Sequence, residues 1–422
     1  MKFKKFTSLA LSAALMTGLM TGCGSTKSAS TDQIVTEITQ PVEITFWHAM
    51  NGDLEKTLQN LTDKFMKSNP NIKVTLQNQS SYNDLQQKIT ATTASPKDLP
   101  TLTQAYPHWM INAMQDNLLV DLKPYIENET IGDKNYNNIL EGFRKGSEIN
   151  GKIYGMPFNK STEVIWYNKT LFNELGLKVP TTYEEFAQTA KTITEKKGIV
   201  GAGFDSLNNF YTTYLKNKGV DFNSSTDVTG KESVEAANYY LDGIKQGYFR
   251  IAGTDAFLSG PFSNETLGMY VGSNAGESFV KQGVNGKFEI GVAPYPAKSV
   301  MQQGTDLYMF SSATAEQRTA AFEYLKFLTS TENQITWGVE TGYIPATQAA
   351  ISSNEYKNSG SLVAPVLEEA TSKNLFINEV APGVDSAYTE SKVVMEDILS
   401  NKNSDVKSKL ESYKKTLMGI YE

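Results

Sequence analysis

Residues 151–168, GKIYGMPFNKSTEVIWYN, constrain what this chain can fold into more than any other stretch. Two apolar runs, Ile153-Tyr154 and Val164-Ile165-Trp166-Tyr167, flank a polar insert, Asn159-Lys160-Ser161-Thr162. Pro157 fixes its own φ and biases Met156 toward an extended backbone. An extended segment with a polar middle is a poor core element, because buried polar groups need partners. It suits the floor of a cleft, where one lobe hands over to another. Period-two alternation puts Asn159 and Ser161 on one face and Lys160 on the other, where a solvated lysine is expected.

The segments before it set the layers. Val42, Ile44 and Phe46 alternate with polar residues as a strand, and Leu54, Leu58, Leu61 and Phe65 recur at helical spacing. Asn69-Pro70-Asn71 ends that helix, and Ile72, Val74 and Leu76 read as a second strand. A helix over residues 82–94 and a strand over 99–105 follow. Strand, helix, strand, helix, strand predicts an α/β chain with a parallel sheet. Ligands bind beyond the carboxyl ends of such strands. Those ends carry Trp47-His48, the run from Gln79 to Tyr82, and Tyr106-Pro107-His108-Trp109. Further on, Thr182 is expected to cap a helix with Glu185 as its capping-box partner. A long helical tail is expected over residues 393–421.

At 422 residues the chain exceeds what one core supports, so two lobes are expected. Its formal charge is −7; without Lys2, Lys4 and Lys5 of the leader, 36 basic residues face 46 acidic ones. No basic run follows residue 30, which sets nucleic-acid binding aside.

The N-terminus has a positive start, MKFKK, an apolar run from Phe6 to Met20, and then Thr21-Gly22-Cys23. The run is too short and too broken by Ser and Thr to span a bilayer, and residues 1–22 read as a signal peptide. Met20-Thr21-Gly22-Cys23 resembles a bacterial lipobox, with Met where Leu is usual, which implies lipidation of Cys23 and anchoring to the membrane through that lipid. Residues 23–41 form a Ser- and Thr-rich tether. Cys23 is the sole cysteine, so no disulfide, thiolate cluster or cysteine nucleophile is available in the mature body.

Several local patterns carry a family resemblance: ITFWHAM at residues 44–50, the segment from Phe65 through Asn69-Pro70 to Ile72-Lys73-Val74, YGMPF at 154–158 followed by Trp166-Tyr167-Asn168-Lys169, PTTYEEF at 180–186, and TGYIP at 341–345. Together they resemble the solute-binding proteins of ABC importers, in the carbohydrate branch that includes maltose and glycerol 3-phosphate receptors. The resemblance implies two discontinuous α/β lobes of the type II periplasmic-binding-protein kind, joined by a hinge around an interlobe cleft. It implies a first lobe of residues 42–157 plus 292–330 and a second of 158–291 plus 331–422. The crossings would fall near residues 157–162, 291–296 and 329–333. The protein would be a monomer handing its ligand to a membrane permease.

The same resemblance implies site residues. Tyr82 takes a position that contacts ligand hydroxyls, and Ser161 one that binds phosphate or, as Glu, sugar. Asn159 shares its face. Tyr183, Ser273, Gly304 and Tyr343 fall at positions lining the site in the glycerol phosphate receptors. Where those receptors place a Glu that grips glycerol, this chain has Pro107, with Tyr106 the favoured substitute. Where they place a phosphate-clamping Arg, residues 381–390 contain no Arg or Lys. Asp385 and Tyr388 in that segment suit a sugar ring instead. The expected ligand is therefore a sugar or oligosaccharide, with glycerol 3-phosphate or a glycerophosphodiester as the alternative. A surface glycosidase is the remaining reading; no G-x-S-x-G or H-E-x-x-H occurs, and no catalytic residue, metal or cofactor is expected.

Overall fold

The computed structural model describes residues 34–422, so the leader, Cys23 and the first part of the tether lie outside the described residues. The chain opens with β1 (Val42–His48), α1 (Asp53–Ser68), β2 (Ile72–Asn78), α2 (Tyr82–Thr92) and β3 (Leu102–Ala105). β2 and β3 flank β1 and both run parallel to it, with Val42 opposite Ile72 and Phe46 opposite Leu102. The helical stripe read from the sequence, Leu54, Leu58, Leu61 and Phe65, is the buried face of α1.

β4 (Gly155–Asn168) runs for 14 residues and changes partners half way along. Its later residues lie between β5 (Met269–Ser273) and β6 (Ile290–Pro294), both antiparallel to it. Its residues 155–162 pair instead with β7 (Ser299–Met309), which continues onto β3. The result is one eight-stranded mixed sheet, order β6-β4-β7-β3-β1-β2, with β5 on β4 and the short β8 (Asn374–Phe376) on β7. The polar insert of β4 sits at the change of partners. It is buried, and it is matched: the Thr162 N–H donates to Asn274 Oδ1 at 2.7 Å and its hydroxyl to the Met301 carbonyl at 3.0 Å.

The later helices are α3 (Tyr183–Lys197), α4 (Leu207–Asn217), α5 (Lys231–Gln246), α6 (Ala315–Thr329), α7 (Thr331–Thr341), α8 (Val384–Leu399) and α9 (Val406–Tyr421). α6 and α7 share one apolar cluster with α1 and the first strands, while α3, α4, α5, α8 and α9 form another. Three details bear on the expectations. Residues 329–333 form the corner between α6 and α7, where Leu328 and Trp337 are buried in one core and Lys64 of α1 pairs with Glu332 at 2.6 Å. The long helical tail is two helices, α8 and α9, the second capped by Asp405. Thr182 caps α3 through the Glu185 N–H, and the Glu185 carboxylate reaches back to the backbone N–H groups of Thr181, at 2.7 Å, and Thr182.

Candidate functional site

A cavity of about 710 Å³ opens between the segments that follow β2 and β3 and the first turns of α4 and α8. One wall is aromatic. Ser81 caps α2 by accepting from the Asp84 N–H at 3.1 Å, which places Tyr82 in the first helical turn. Tyr106 precedes Pro107 and is held extended, so its ring projects beside Tyr82, with the centroids 5.7 Å apart. His108 stacks on Tyr106 at 5.4 Å and 23°, and Trp109 meets the same ring edge-on at 4.9 Å. The facing wall is polar and carries Asp205, Asn208, Asp385 and Tyr388. Lys160 of β4 and Gln302, Gln303 and Gly304 of β7 form the floor.

Gly304 has φ +86°, and a Cβ there would lie 2.0 Å from the Asn159 carbonyl oxygen. Only glycine allows β4 and β7 to approach so closely at this point. Its backbone N–H also donates to the Tyr106 hydroxyl.

Of the residues expected at the site, Tyr82, Tyr106, Gly304, Asp385 and Tyr388 line the cavity. Asn159 and Tyr343 stand behind Tyr82. The Asn159 amide donates to the Tyr82 hydroxyl at 3.3 Å and accepts from Thr305 at 2.6 Å, while the Tyr82 and Tyr343 hydroxyls are 3.2 Å apart. Ser161 is buried opposite Gln303 and off the wall. Ser273 closes its own turn by accepting from the Ala275 N–H at 3.2 Å and is also off the wall. Tyr183 belongs to the second apolar cluster; its hydroxyl sits 2.9 Å from that of Tyr295, and its ring is buried among Phe204, Phe210 and Tyr214.

The largest correction is Lys160. It is not solvated but 1% exposed, ion-paired with Asp306 of β7, and on the cavity floor. Asp306 also accepts from the Ser147 hydroxyl, which lies 3.1 Å from the Tyr308 hydroxyl. Residues 384–390 are helical: α8 starts at Val384, so Asp385 and Tyr388 lie three apart on one helical face. His48 is buried away from the cavity; its Nδ1 accepts from the Met50 N–H, and burial pulls its pKa down to about 4.

The acidic groups differ sharply. Burial alone would raise Asp385, but the hydrogen bond and charge of His108, helped by the Gln86 amide, hold it below the usual carboxylate range. Burial pushes Asp205 up to about 7 despite a hydrogen bond from the Leu258 N–H. Behind the wall, burial pushes Glu163 of β4 up to about 8. One Glu163 oxygen accepts from the Asn209 amide at 3.0 Å, the other has no hydrogen-bond partner, and Asn209 in turn accepts from the Tyr388 hydroxyl.

Each basic side chain on the cavity has a carboxylate partner: Lys160 has Asp306, His108 has Asp385 at 2.9 Å, and Lys392 has Glu396 at 3.7 Å. Among the described residues no group of three or more His, Cys, Asp or Glu side chains is placed to hold a metal ion. Asp205 and Asn208 of the facing wall escaped the sequence reading. Ser206, which caps α4 by accepting from the Asn209 N–H, was the available signal for a helix start at the cavity.

A cavity set between two apolar clusters, floored by a strand shared between sheet regions, defines a two-lobed α/β binding protein of the type II periplasmic kind. Residues 60–364 match the family described as "Bacterial extracellular solute-binding protein", and the chain belongs to that family. The sn-glycerol-3-phosphate-binding periplasmic protein UgpB of Escherichia coli (strain K12) is 26% identical over 337 residues, covering 73% of this chain and 75% of the relative. Two solved structures share the fold. UgpB from Mycobacterium tuberculosis, in complex with glycerophosphocholine, superposes with a TM-score of 0.78 at 20% identity over 90% of this chain and 98% of its own. The ABC substrate-binding protein Lmo0181 from Listeria monocytogenes, in complex with cycloalternan, gives 0.78 at 21% identity over 90% and 100%. Among the described residues no helix is long and apolar enough to cross a membrane.

Proposed function

We propose that this solute-binding protein captures a neutral sugar or oligosaccharide between its two walls and delivers it to an ABC permease, without catalysing a reaction. The observation that carries this reading is the pairing of every basic cavity side chain with a carboxylate beside a wall of aromatic rings. Aromatic faces cover the C–H patches of sugars, and uncharged polar groups such as Gln302, Gln303 and Asn208 suit hydroxyls. A phosphate ester needs a cation or convergent N–H donors, and here Lys160 or His108 would first have to leave its partner. The alternative, glycerol 3-phosphate or a glycerophosphodiester, draws support from what the two UgpB proteins are named or solved with.

Tyr82, Tyr106, Asp385 and Tyr388 are the proposed contacts, with Asn159 and Tyr343 positioning Tyr82. The proposed lobes follow residues 42–157 and 158–291, with β7 and α6 in the first; α7 joins them there by its packing, and α8 and α9 belong to the second. Lipidation of Cys23, a monomeric state and a place on the outer face of the cytoplasmic membrane complete the proposal. Mass spectrometry of whatever is carried through native purification, followed by calorimetry with matched neutral and phosphorylated sugars, tests the ligand class. Tighter binding of the phosphate esters overturns the neutral reading. Labelled palmitate incorporated by the intact chain but not by Cys23→Ala tests the anchor.

A further inference from the structure

Asp385 lies in the first turn of α8, and α8 packs on α4, α5 and α9. Gln86 of α2 and His108 after β3 belong to the opposite wall, where Leu85, Ile89, Ala105 and Met110 form a separate small core with Trp47. The two walls are joined directly. His108 Nε2 lies 2.9 Å from Asp385 Oδ1, and Gln86 Nε2 donates to Asp385 Oδ2 at 3.0 Å. Both carboxylate oxygens are thus matched by protein donors, and the link is complete without any ligand atom. The His108 and Asp385 side chains are 25% and 27% exposed, so bulk water screens the pair only in part. Stacking on Tyr106 fixes the plane of the imidazole, which lowers the entropy cost of aiming it at Asp385.

We propose that Gln86, His108 and Asp385 form a latch across the cavity, which draws the two walls together independently of ligand and gates its entry and escape. A ligand reaches the aromatic wall only in the fraction of molecules whose latch is open, so exchange slows in proportion to the closed population. Asp385 consequently serves first as the catch of the latch and contacts ligand only in exchange for Gln86 or His108. The proposal rests on the two-walled cavity and not on which ligand class fills it.

The imidazole that meets Asp385 is that of His108. The charged groups around it are Lys392 and Glu396 farther along α8, which pair with each other, Asp205 on the facing wall, and the Lys160–Asp306 pair on the floor. None of these replaces Asp385 as the partner of His108.

The test is a distance measurement on the full chain with no sugar added. Spin labels at the exposed positions Lys97→Cys and Lys402→Cys, in a Cys23→Ser background, report the separation of the two walls by pulsed electron paramagnetic resonance. A dominant short distance is expected for the wild type. Asp385→Ala and His108→Phe should each move the ratio of short to long distances at least about fivefold toward long, and Gln86→Leu less. Identical distributions in the wild type, His108→Phe and Gln86→Leu overturn the latch. If Asp385→Ala fails to give a cooperative melt, the other two variants, which leave α8 untouched, decide.

Discussion

Lys160 and Glu163 lie three residues apart on β4, both buried, and their surroundings treat them in opposite ways. Lys160 has a full counter-charge in Asp306, on the strand paired with its own half of β4. Glu163 sits past the change of partners, with one amide at one oxygen and nothing at the other. The first arrangement fixes a charge in place; the second leaves a carboxyl that holds its proton to about pH 8. One half of the strand is therefore braced by electrostatics, and the other responds to pH.

The largest effect expected is from breaking the brace. Lys160→Met leaves Asp306 buried without its counter-charge, and removing one partner of a buried pair costs about 3–5 kcal/mol. Replacing both, as in Lys160→Met with Asp306→Leu, should recover most of that loss, because the desolvation cost disappears with the second charge. Denaturant midpoints and slopes of the wild type, single and double variants measure it. A double variant no more stable than the single one would show that packing, and not charge, holds this crossing.

The other half of the comparison has a definite sign. Glu163 is raised from 4.5 to about 8 in the folded chain, so between those values the unfolded chain releases a proton that the folded chain keeps. Stability accordingly falls as pH rises through this window and levels off above it, with a slope of at most about 1.4 kcal/mol per pH unit for one group. Glu163→Gln keeps the shape and removes the proton. It should be the more stable protein at pH 8, by roughly 2–4 kcal/mol on the same linkage. It should also retain the decline of similar slope that Asp205, raised from 3.8 to about 7, contributes at lower pH. Parallel pH profiles for variant and wild type would mean that Glu163 reaches water in solution.

What could be read from the sequence divides along similar lines. The β1–β3 layers and the buried face of α1 were legible because period and punctuation are local. The extended crossing at β4 was legible from Pro157 and its flanking apolar runs. The burial of Lys160 was not, because its partner Asp306 lies far along the chain and nothing in the pentad around Lys160 announces it. The start of α8 was hidden by Pro382-Gly383, which reads as loop; Gly383 in fact takes φ +80° as the residue before the helix. Tyrosine content could not separate Tyr106 on the cavity from Tyr183 in the core, since each stands at the start of a helical turn and only the tertiary packing distinguishes them.

That pair of outcomes yields the smallest and most specific expectation. The Asn209 amide donates to Glu163, so its oxygen faces Tyr388 and takes the single phenolic hydrogen. Tyr388 is left with acceptor capacity alone toward the cavity and should receive a hydroxyl hydrogen from a bound sugar. Tyr388→Phe removes that acceptor, at a net hydrogen-bond cost of about 0.5–1.5 kcal/mol, or roughly 2- to 12-fold in affinity for a sugar that binds the wild type. Tyr183→Phe removes a hydroxyl matched by Tyr295 in the core and should change stability without changing affinity. Calorimetric titration of both variants with the same sugar separates the two. Equal losses of affinity would place Tyr388 behind the binding surface, alongside Asn159 and Tyr343.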